Sequence, residues 1–326
     1  MSRLAAGITT TALVSLTASG CMTVHGELEV VPSATKAEAA QALQDFLTAY
    51  NKADKAFDPA LDQGRVTGAL GAINQAGLKS RHITDPGGNK DHQELKLDDA
   101  KFAIPKKAGW PRYFVADTDS NRDTDGGKTD TRWLLVFVQD GLKQPWKVAY
   151  LSILAPSQVP VFKTDKDGWA EPLAPADAAL AVAPKDLSGN YTSYLRDGKP
   201  ADFVAGTHTS EWRATRKQNA NVPGIVTQYV DQAMTDGAFQ PLGLRTKDGS
   251  GLVFFASKHF EQQTAGPNVR LPFTADVKAL TTGKLTNKLT KERMSNEVAL
   301  VPAKGAGDQK VAILGRLQGL TSGKAS

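Results

Sequence analysis

The chain repeats one order of predicted elements, and this repeat limits the folds open to it more than any other feature. Residues 134–151 and 298–315 have the same length and apolar pattern, with a turn-forming segment near the middle of each. Residues 112–120 and 252–260 precede them in equivalent positions. In both halves two helix-like segments come first. Self-similarity of this kind indicates a duplicated unit. We predict an α+β fold of two tandem domains, each with two helices followed by an antiparallel sheet.

The first half carries clear helix and strand signals. Residues 33–52 place apolar side chains at helical spacing, and Thr35 followed by Glu38 has the spacing of a capping box. A glycine-interrupted amphipathic segment follows at residues 61–81. The predicted strands cover residues 102–104, 112–116, 133–138 and 146–154. Their continuous apolar runs predict strands that are buried on both faces or packed on helices.

A proline-rich segment separates the two halves. Residues 156–184 contain Pro156, Pro160, Pro172, Pro175 and Pro184. Because proline does not fit inside regular elements, we predict a semi-rigid linker here, between a first domain at residues 33–155 and a second at residues 185–322. In the second domain the predicted helices cover residues 186–196 and 202–217, and the predicted strands cover residues 239–245, 252–260, 297–301 and 310–320.

The N-terminus has the parts of a bacterial export signal. Arg3 gives a positive start, residues 4–20 are uncharged, and the small residues Ala18-Ser19-Gly20 precede Cys21, the one cysteine of the chain. This ending resembles the bacterial lipobox, in which the cysteine is diacylated and becomes the new N-terminus. We therefore predict a signal peptide at residues 1–20, lipidation (including palmitate) on Cys21, and a tether at residues 21–32. An ordinary secretory peptide, or a buried apolar N-terminal strand, is the alternative.

Composition and charge describe the body that follows this signal. The chain has 40% hydrophobic residues and a formal net charge of +5, and after Cys21 no apolar segment reaches the length needed to cross a bilayer. Positive charge outside a cell suits anionic headgroups or acidic wall polymers, although a solvated, slightly basic surface is the simpler interpretation. Because the lysines are scattered and not interleaved with aromatic residues, we predict no nucleic-acid binding. The predicted partners are the membrane, through the lipid, and an envelope protein or wall polymer.

Four segments carry a resemblance to a known family. They are residues 21–39, 106–123, 253–264 and 289–297. Through them the mature chain resembles a family of actinobacterial secreted lipoproteins of unknown function. This resemblance implies export and lipidation, and it assigns no catalytic residue. The order of helices followed by a curved sheet also resembles the cone-shaped NTF2-like or cystatin-like architecture.

Residues 117–127 alternate carboxylates with other polar residues and end in glycines, a pattern that resembles a calcium-binding loop. Starting at Asn121, the opening of such a loop fits, with Asn121, Asp123 and Asp125 as candidate ligands. Arg132 stands where the bidentate glutamate should be, so the ligand set is incomplete. A polar hairpin tip is the alternative interpretation. No other cofactor is predicted.

The remaining chemistry-bearing residues do not form a recognisable catalytic motif. The five histidines are His25, His82, His92, His208 and His259. Of these, His208 lies in a polar segment that could face a pocket. The chain has no nucleophile elbow, and no phosphate-binding glycine pattern occurs between a strand and a helix. Four aromatic residues could line a cavity, although core packing is the simpler interpretation: Trp110, Tyr113, Phe114 and Trp133.

These observations favour a non-enzymatic binding or scaffolding module, anchored by its lipid on the outer face of the cytoplasmic membrane. It would act through the concave sheet faces or the groove between the repeats. The alternative is small-molecule binding, or hydrolase-type or isomerase-type catalysis, inside a cone-shaped cavity. Catalysis of that kind would require a carboxylate or histidine with a shifted pKa in the cavity, and the sequence does not single one out.

Overall fold

The first half consists of two helices and a four-stranded antiparallel sheet. A computed structural model describes residues 29–326 of the protein. The helices are α1 (Lys36–Ala56) and α2 (Gly68–Thr84). Sheet 1 contains β2 (Leu97–Ala103), β4 (Arg112–Ser120), β5 (Arg132–Gln139) and β6 (Lys147–Leu154) in that spatial order. A short ladder joins β1 (Val31–Pro32) to β3 (Lys106–Lys107). The predicted helices and strands of this half are present.

Helix α1 begins at the predicted capping box. The Thr35 hydroxyl accepts from the Glu38 backbone N–H at 3.1 Å, and the Glu38 carboxylate accepts from the Thr35 N–H at 2.7 Å. Both donors would otherwise be unsatisfied at the helix start. Helix α2 begins at Gly68, later than predicted, because the chain before it joins sheet 1: the Thr67 N–H donates to the Val148 carbonyl at 2.9 Å.

The second half repeats the same order of elements. Its helices are α3 (Leu187–Asp197) and α4 (Ser210–Asn219), with the short α5 (Ala275–Ala279) further on. The long strands of sheet 2 are β8 (Ile225–Met234), β10 (Gly251–Ala265), β12 (Lys288–Val301) and β13 (Ala312–Ala325), adjacent in that order and antiparallel. Three short strands complete it: β7 (Asn221–Val222), β9 (Leu242–Arg245) and β11 (Thr281–Thr282). An α+β fold with antiparallel sheets is therefore confirmed.

In this half one predicted helix starts too early, and one strand is missing from the prediction. The chain from Phe203 to His208 is not helical, because the Val204 N–H donates to the Val311 carbonyl at 2.9 Å and holds this segment beside sheet 2. Helix α4 therefore begins only at Ser210. Strand β8 was not predicted, although its side chains alternate in exposure along most of its length.

The two sheets pack face to face, with helices on their outer faces. Along β5, Leu134 and Val136 belong to the core between the sheets, whereas Leu135 and Phe137 face the core under α1. The side chains of sheet 2 alternate between its two faces in the same way: Phe254 lies in the core between the sheets, and Phe255 lies in the core under α3. Successive strand residues point to opposite faces, so continuous apolar runs supply two cores at once. Burial on both faces is one of the two alternatives that the apolar runs predict.

The predicted linker is packed against both sheets. Five of its residues are buried: Ala170, Leu173, Leu180, Val182 and Pro184. The Ala170 N–H donates to the Ile104 carbonyl of the first half at 2.9 Å, and the Leu173 N–H donates to the Gly243 carbonyl of the second half at 3.1 Å. Residues 156–184 contain no α-helix and none of the strands β1–β13, as expected, but they bind the halves together and do not space them apart. We call this segment the strap.

Two buried tyrosines on sheet 1 also bond to the second half. The Tyr113 hydroxyl donates to the Gly243 carbonyl at 2.7 Å, and the Tyr150 hydroxyl donates to the Gln240 carbonyl at 2.9 Å. Burial raises the pKa of both hydroxyls well above the ordinary value for tyrosine, so both remain protonated donors. The two halves thus share a core that is closed by directed hydrogen bonds.

Candidate functional site

A cleft of about 450 Å³ lies where α1 and α2 meet both sheets and α5. Trp133 comes from sheet 1 and Leu317 from sheet 2, so the cleft exists only because the two halves pack together. Its walls are mainly apolar and include Leu70, Ile73, Trp133, Leu151, Ile153, Leu317 and Leu320. Cavities of roughly 300–1,000 Å³ with apolar walls are the usual binding places for small molecules.

Polar side chains also line this cleft. They are Tyr50, Asn74, Ser80, Arg81 and Asp276. Arg81 pairs with Asp54 at 3.4 Å, and its guanidinium lies 5.4 Å from the centre of the Phe57 ring. Burial raises the pKa of the Tyr50 hydroxyl, so this group stays neutral and able to donate. An apolar interior with a few polar groups is the composition that small-molecule sites share.

Two glycines shape the wall of the cleft. A Cβ atom at Gly319 on β13 would lie 2.6 Å from Cγ2 of Ile73 on α2, so the close approach of helix and strand requires glycine there. A Cβ atom at Gly77 would meet only the end of the Arg81 side chain, at 3.4 Å. A Cβ atom at position 77 therefore meets no backbone atom of a neighbouring element.

The outer face of sheet 2 carries a row of buried polar side chains. The Asp231 carboxylate lies 2.6 Å from Nδ1 of His259, and Nε2 of His259 lies 3.0 Å from the Ser257 hydroxyl. The Ser257 hydroxyl donates to Oε1 of Glu297 at 2.7 Å. The register of β8 and β10 sets Asp231 directly opposite His259. Sequence reasoning missed this row, because β8 was not recognised and His259 was only one of five histidines.

The order carboxylate, imidazole, hydroxyl matches that of a catalytic triad, but the surroundings of this row do not fit catalysis. Ser257 is fully buried, and Glu297 accepts its single proton. The Trp212 ring covers His259, with 4.9 Å between ring centres. A nucleophile must be open to its substrate, so Ser257 is not placed to act as one.

The row instead fixes the position of Arg216. The other oxygen of Asp231 accepts from the Arg216 guanidinium at 2.8 Å. Burial alone would raise the pKa of the Asp231 carboxyl, but the hydrogen bonds from His259 and Arg216 outweigh it and hold the pKa below its ordinary value. A buried carboxylate that stays ionised can hold a buried cation, and Arg216 is that cation.

The candidate calcium loop brings a different set of side chains together from the one predicted. Carboxylate oxygens of Asp119, Asp123 and Asp125 lie within 4.8 Å of one another. The side chain of Asn121 is engaged elsewhere, since its oxygen accepts from the Lys96 N–H at 2.9 Å. Asp119 therefore stands with Asp123 and Asp125 in place of the predicted Asn121. These three carboxylates are the groups that could hold a cation here, and calcium binding stays a prediction.

The other predicted site residues are dispersed. Tyr113 and Phe114 are buried in the core, as the simpler interpretation predicts, whereas Trp133 lines the cleft. The ring of Trp110 lies 4.7 Å from the Arg112 guanidinium. His208 is half-buried, and burial together with the nearby Arg316 lowers the pKa of its imidazole. Cys21 lies outside the described residues.

The fold and the cleft define a class of protein: an α+β body of two facing antiparallel sheets, with a small-molecule-sized cleft between its halves. Within residues 29–326, no helix is both long and apolar enough to cross a membrane.

The chain belongs to the family described as Domain of unknown function (DUF8094), which matches residues 30–325. It is 56% identical over 314 residues to an uncharacterised lipoprotein of Streptomyces coelicolor, with 96% of this chain and 92% of the relative covered. It is also 54% identical over 312 residues to an uncharacterised lipoprotein of Streptomyces avermitilis, with 95% and 92% covered. The predicted resemblance to a lipoprotein family of unknown function is confirmed.

Proposed function

We propose that this lipoprotein is a binding protein of the cell envelope and that its cleft takes up a small, mainly apolar molecule with one anionic or hydrogen-bonding group. The observation that carries this proposal is the cleft between the halves, with Trp133 and Leu317 on its walls and Arg81 among its polar groups. The apolar walls would bury most of such a ligand, and the polar groups would orient it.

The proposed location rests on Cys21 and on the lipoprotein names of the relatives. A diacylated Cys21 would hold the body at the outer face of the cytoplasmic membrane. The body begins at the β1–β3 ladder, at Val31. Fully extended, the chain from Cys21 to Val31 reaches about 35 Å. The start of the body would therefore stay within that distance of the bilayer surface.

A binding role is favoured over catalysis because the triad-like row on sheet 2 is sealed beneath Trp212. The order of two helices and four strands in each half supports an NTF2-like or cystatin-like origin for both halves, which we propose as the ancestry of the fold. Folds of one ancestry carry many functions, so the proposal rests on the cleft and not on that likeness.

The test fills the cleft with a side chain. The full-length protein is purified in detergent and titrated with anilinonaphthalene sulfonate, an aromatic probe with one anionic group. In the variant Gly77→Leu, the new side chain occupies part of the cleft. Gly189→Leu is the matched control, since Gly189 lies in a helix (α3) and faces open space. Both changes replace a helical glycine, so both should make the free energy of helix formation more favourable by a similar amount, up to about 1 kcal/mol.

We expect Gly77→Leu to weaken probe binding at least tenfold and Gly189→Leu to leave it unchanged. Micelles take up some probe, but every variant carries the same micelle, so the difference between the two variants reports the cleft. Equal binding by Gly77→Leu and the wild type would contradict the proposal. Circular dichroism would show that both variants remain folded.

A further inference from the structure

We infer that a second cavity, on the outer face of the second half, binds a phosphoryl group. This cavity has a volume of about 570 Å³ and lies between the end of α3, one face of α4, and β8. It shares no lining residue with the cleft, so the inference is independent of the proposed function. Its lining carries four cations and one carboxylate: Arg196, Arg213, Arg216, Lys217 and Asp231.

Arg216 is the built part of this site. Its side chain is nine-tenths buried, with 9% exposed, and Asp231 accepts from its guanidinium at 2.8 Å. The guanidinium lies 3.8 Å from the centre of the Trp212 ring and 5.1 Å from that of Tyr229. Fixing a long side chain in this way removes most of the rotamer freedom that binding would otherwise cost. Arg216 is therefore pre-organised at the cavity wall.

Arg213 and Lys217 bring further positive charge to the cavity. They are placed three residues before and one residue after Arg216 in α4, and the three side chains line the same cavity. Within residues 29–326, no carboxylate lies within 4.0 Å of the charged nitrogens of Arg213 or Lys217. Arg196 pairs with its exposed neighbour Asp197 at 3.2 Å. Arg216 and Arg196 thus have carboxylate partners, whereas Arg213 and Lys217 repel each other, and an anion placed beside them would offset that repulsion.

The donors favour a phosphoryl group over a carboxylate. Arginine presents several N–H groups in a fixed fork, and lysine adds a compact point charge, so together they suit an anion with several oxygens. Tyr229 and Thr227 on β8 add hydroxyls to the lining. Burial raises the pKa of the Tyr229 hydroxyl, so this group remains a neutral donor. The volume leaves room for the organic part of a phosphate ester.

The same phosphoryl chemistry could come from a soluble phosphate ester or from a phospholipid headgroup. The experiment separates the two sources. The full-length protein in detergent is titrated calorimetrically with inorganic phosphate, with glycerol phosphate, which is a monoester, and with glycerophosphoglycerol, which is the diester of a common anionic headgroup. The variants are Arg213→Ala and Lys217→Ala. Lys304→Ala is the control, because Lys304 is exposed in the turn between β12 and β13, far along the chain from α4.

We expect each of the two variants to weaken phosphoryl binding at least about tenfold, since one hydrogen bond to a charged group contributes this much or more. Lys304→Ala should bind like the wild type. Tighter binding of the monoester would identify a soluble ligand, and tighter binding of the diester would identify a lipid headgroup. The inference is overturned if none of the three probes binds at millimolar concentration, or if Arg213→Ala and Lys217→Ala bind as well as the control. Thermal unfolding of each variant would confirm an intact fold.

Discussion

The side-chain amide of Asn296 bonds both backbone groups of Leu151, across the junction of the two sheets. Its oxygen accepts from the Leu151 N–H at 3.0 Å, and its nitrogen donates to the Leu151 carbonyl at 2.9 Å. Asn296 is fully buried on β12, inside sheet 2, whereas Leu151 lies on β6, the last strand of sheet 1. The amide takes the place of a neighbouring strand and closes an edge that would otherwise be open to pairing.

The first prediction removes this amide. We expect Asn296→Ala to lower the free energy of unfolding by about 2–4 kcal/mol, because the N–H and carbonyl of Leu151 lose their partners in a buried place. Urea denaturation followed by circular dichroism measures the change. Asn287→Ala is the control, since Asn287 is exposed, and it should shift stability by less than about 0.5 kcal/mol. Equal stability of both variants would mean that the bonds to Leu151 contribute little.

The second prediction concerns the buried pair of Asp231 and Arg216. We expect Asp231→Asn to lower stability at pH 7 by about 3–5 kcal/mol, because Arg216 would remain buried without its counter-charge. The folded-state pKa of Asp231 lies below the unfolded value of 3.8. Its ionised form therefore stabilises the fold above that pH, and this contribution is lost as the pH falls through the folded pKa.

The pH dependence is the specific readout for Asp231. The difference in stability between wild type and Asp231→Asn should narrow as the pH falls below about 4. Arg216 and His259 face the carboxylate directly, and the carboxylate in turn acts on Tyr191 and Arg316 from further away. The exposed Asp236 supplies the control Asp236→Asn, which should follow the wild type at every pH. If the stability difference between wild type and Asp231→Asn stayed constant over the whole pH range, Asp231 would not be the group whose ionisation stabilises the fold.

The third prediction concerns the first half of the chain, residues 33–155, expressed without the second half. The sequence repeat predicts that residues 33–155 form a domain, but in the structure one face of sheet 1 is covered by sheet 2. Isolated residues 33–155 would expose that face, which includes Tyr113, Val115, Leu134, Val136 and Tyr150. An exposed apolar face of this size promotes association. We expect the fragment to keep far-ultraviolet but lose near-ultraviolet circular dichroism and to aggregate, whereas a cooperative, monomeric fragment would support two autonomous domains.

The fourth prediction concerns the anchor. Intact mass of the protein extracted from membranes should correspond to a chain that starts at Cys21 and carries a diacylglycerol. We expect Cys21→Ser to abolish both the cleavage and the added mass. Ser19→Ala keeps a small residue beside the cleavage point and should be processed normally. An unmodified Cys21 in the wild-type protein would rule out the lipid anchor.

The sequence predicts those parts of the fold that local patterns determine. The capping box at Thr35 and Glu38, the paired strands β5 and β6, and the doubled order of elements all follow from spacing and turn residues. Strand β8 could not be predicted from its polarity pattern. Its outward side chains, such as Val226 and Val230, are apolar and exposed, whereas the Asp231 side chain is buried. Its pattern reverses the usual relation between polarity and burial.

The candidate sites depend on contacts that no local pattern contains. Trp133 and Leu317 line one cleft although nearly the whole second half of the chain separates them. Asp231 and His259 meet only through the register of β8 and β10. The proline content of the strap predicts a linker, because proline does not fit inside helices and strands. It does not indicate whether residues such as Leu173 and Leu180 are buried, and both are. Packing across the chain decides these points.

The core between the sheets also bears on how such a chain can evolve. Val136 of the first half and Leu244 of the second half belong to that same core, so a change of volume at one position must be accommodated at the other. A gene that encoded only one half would produce a protein with an open apolar face. The two halves are therefore inherited together, and recombination that exchanged one of them for an unrelated unit would lose the fold.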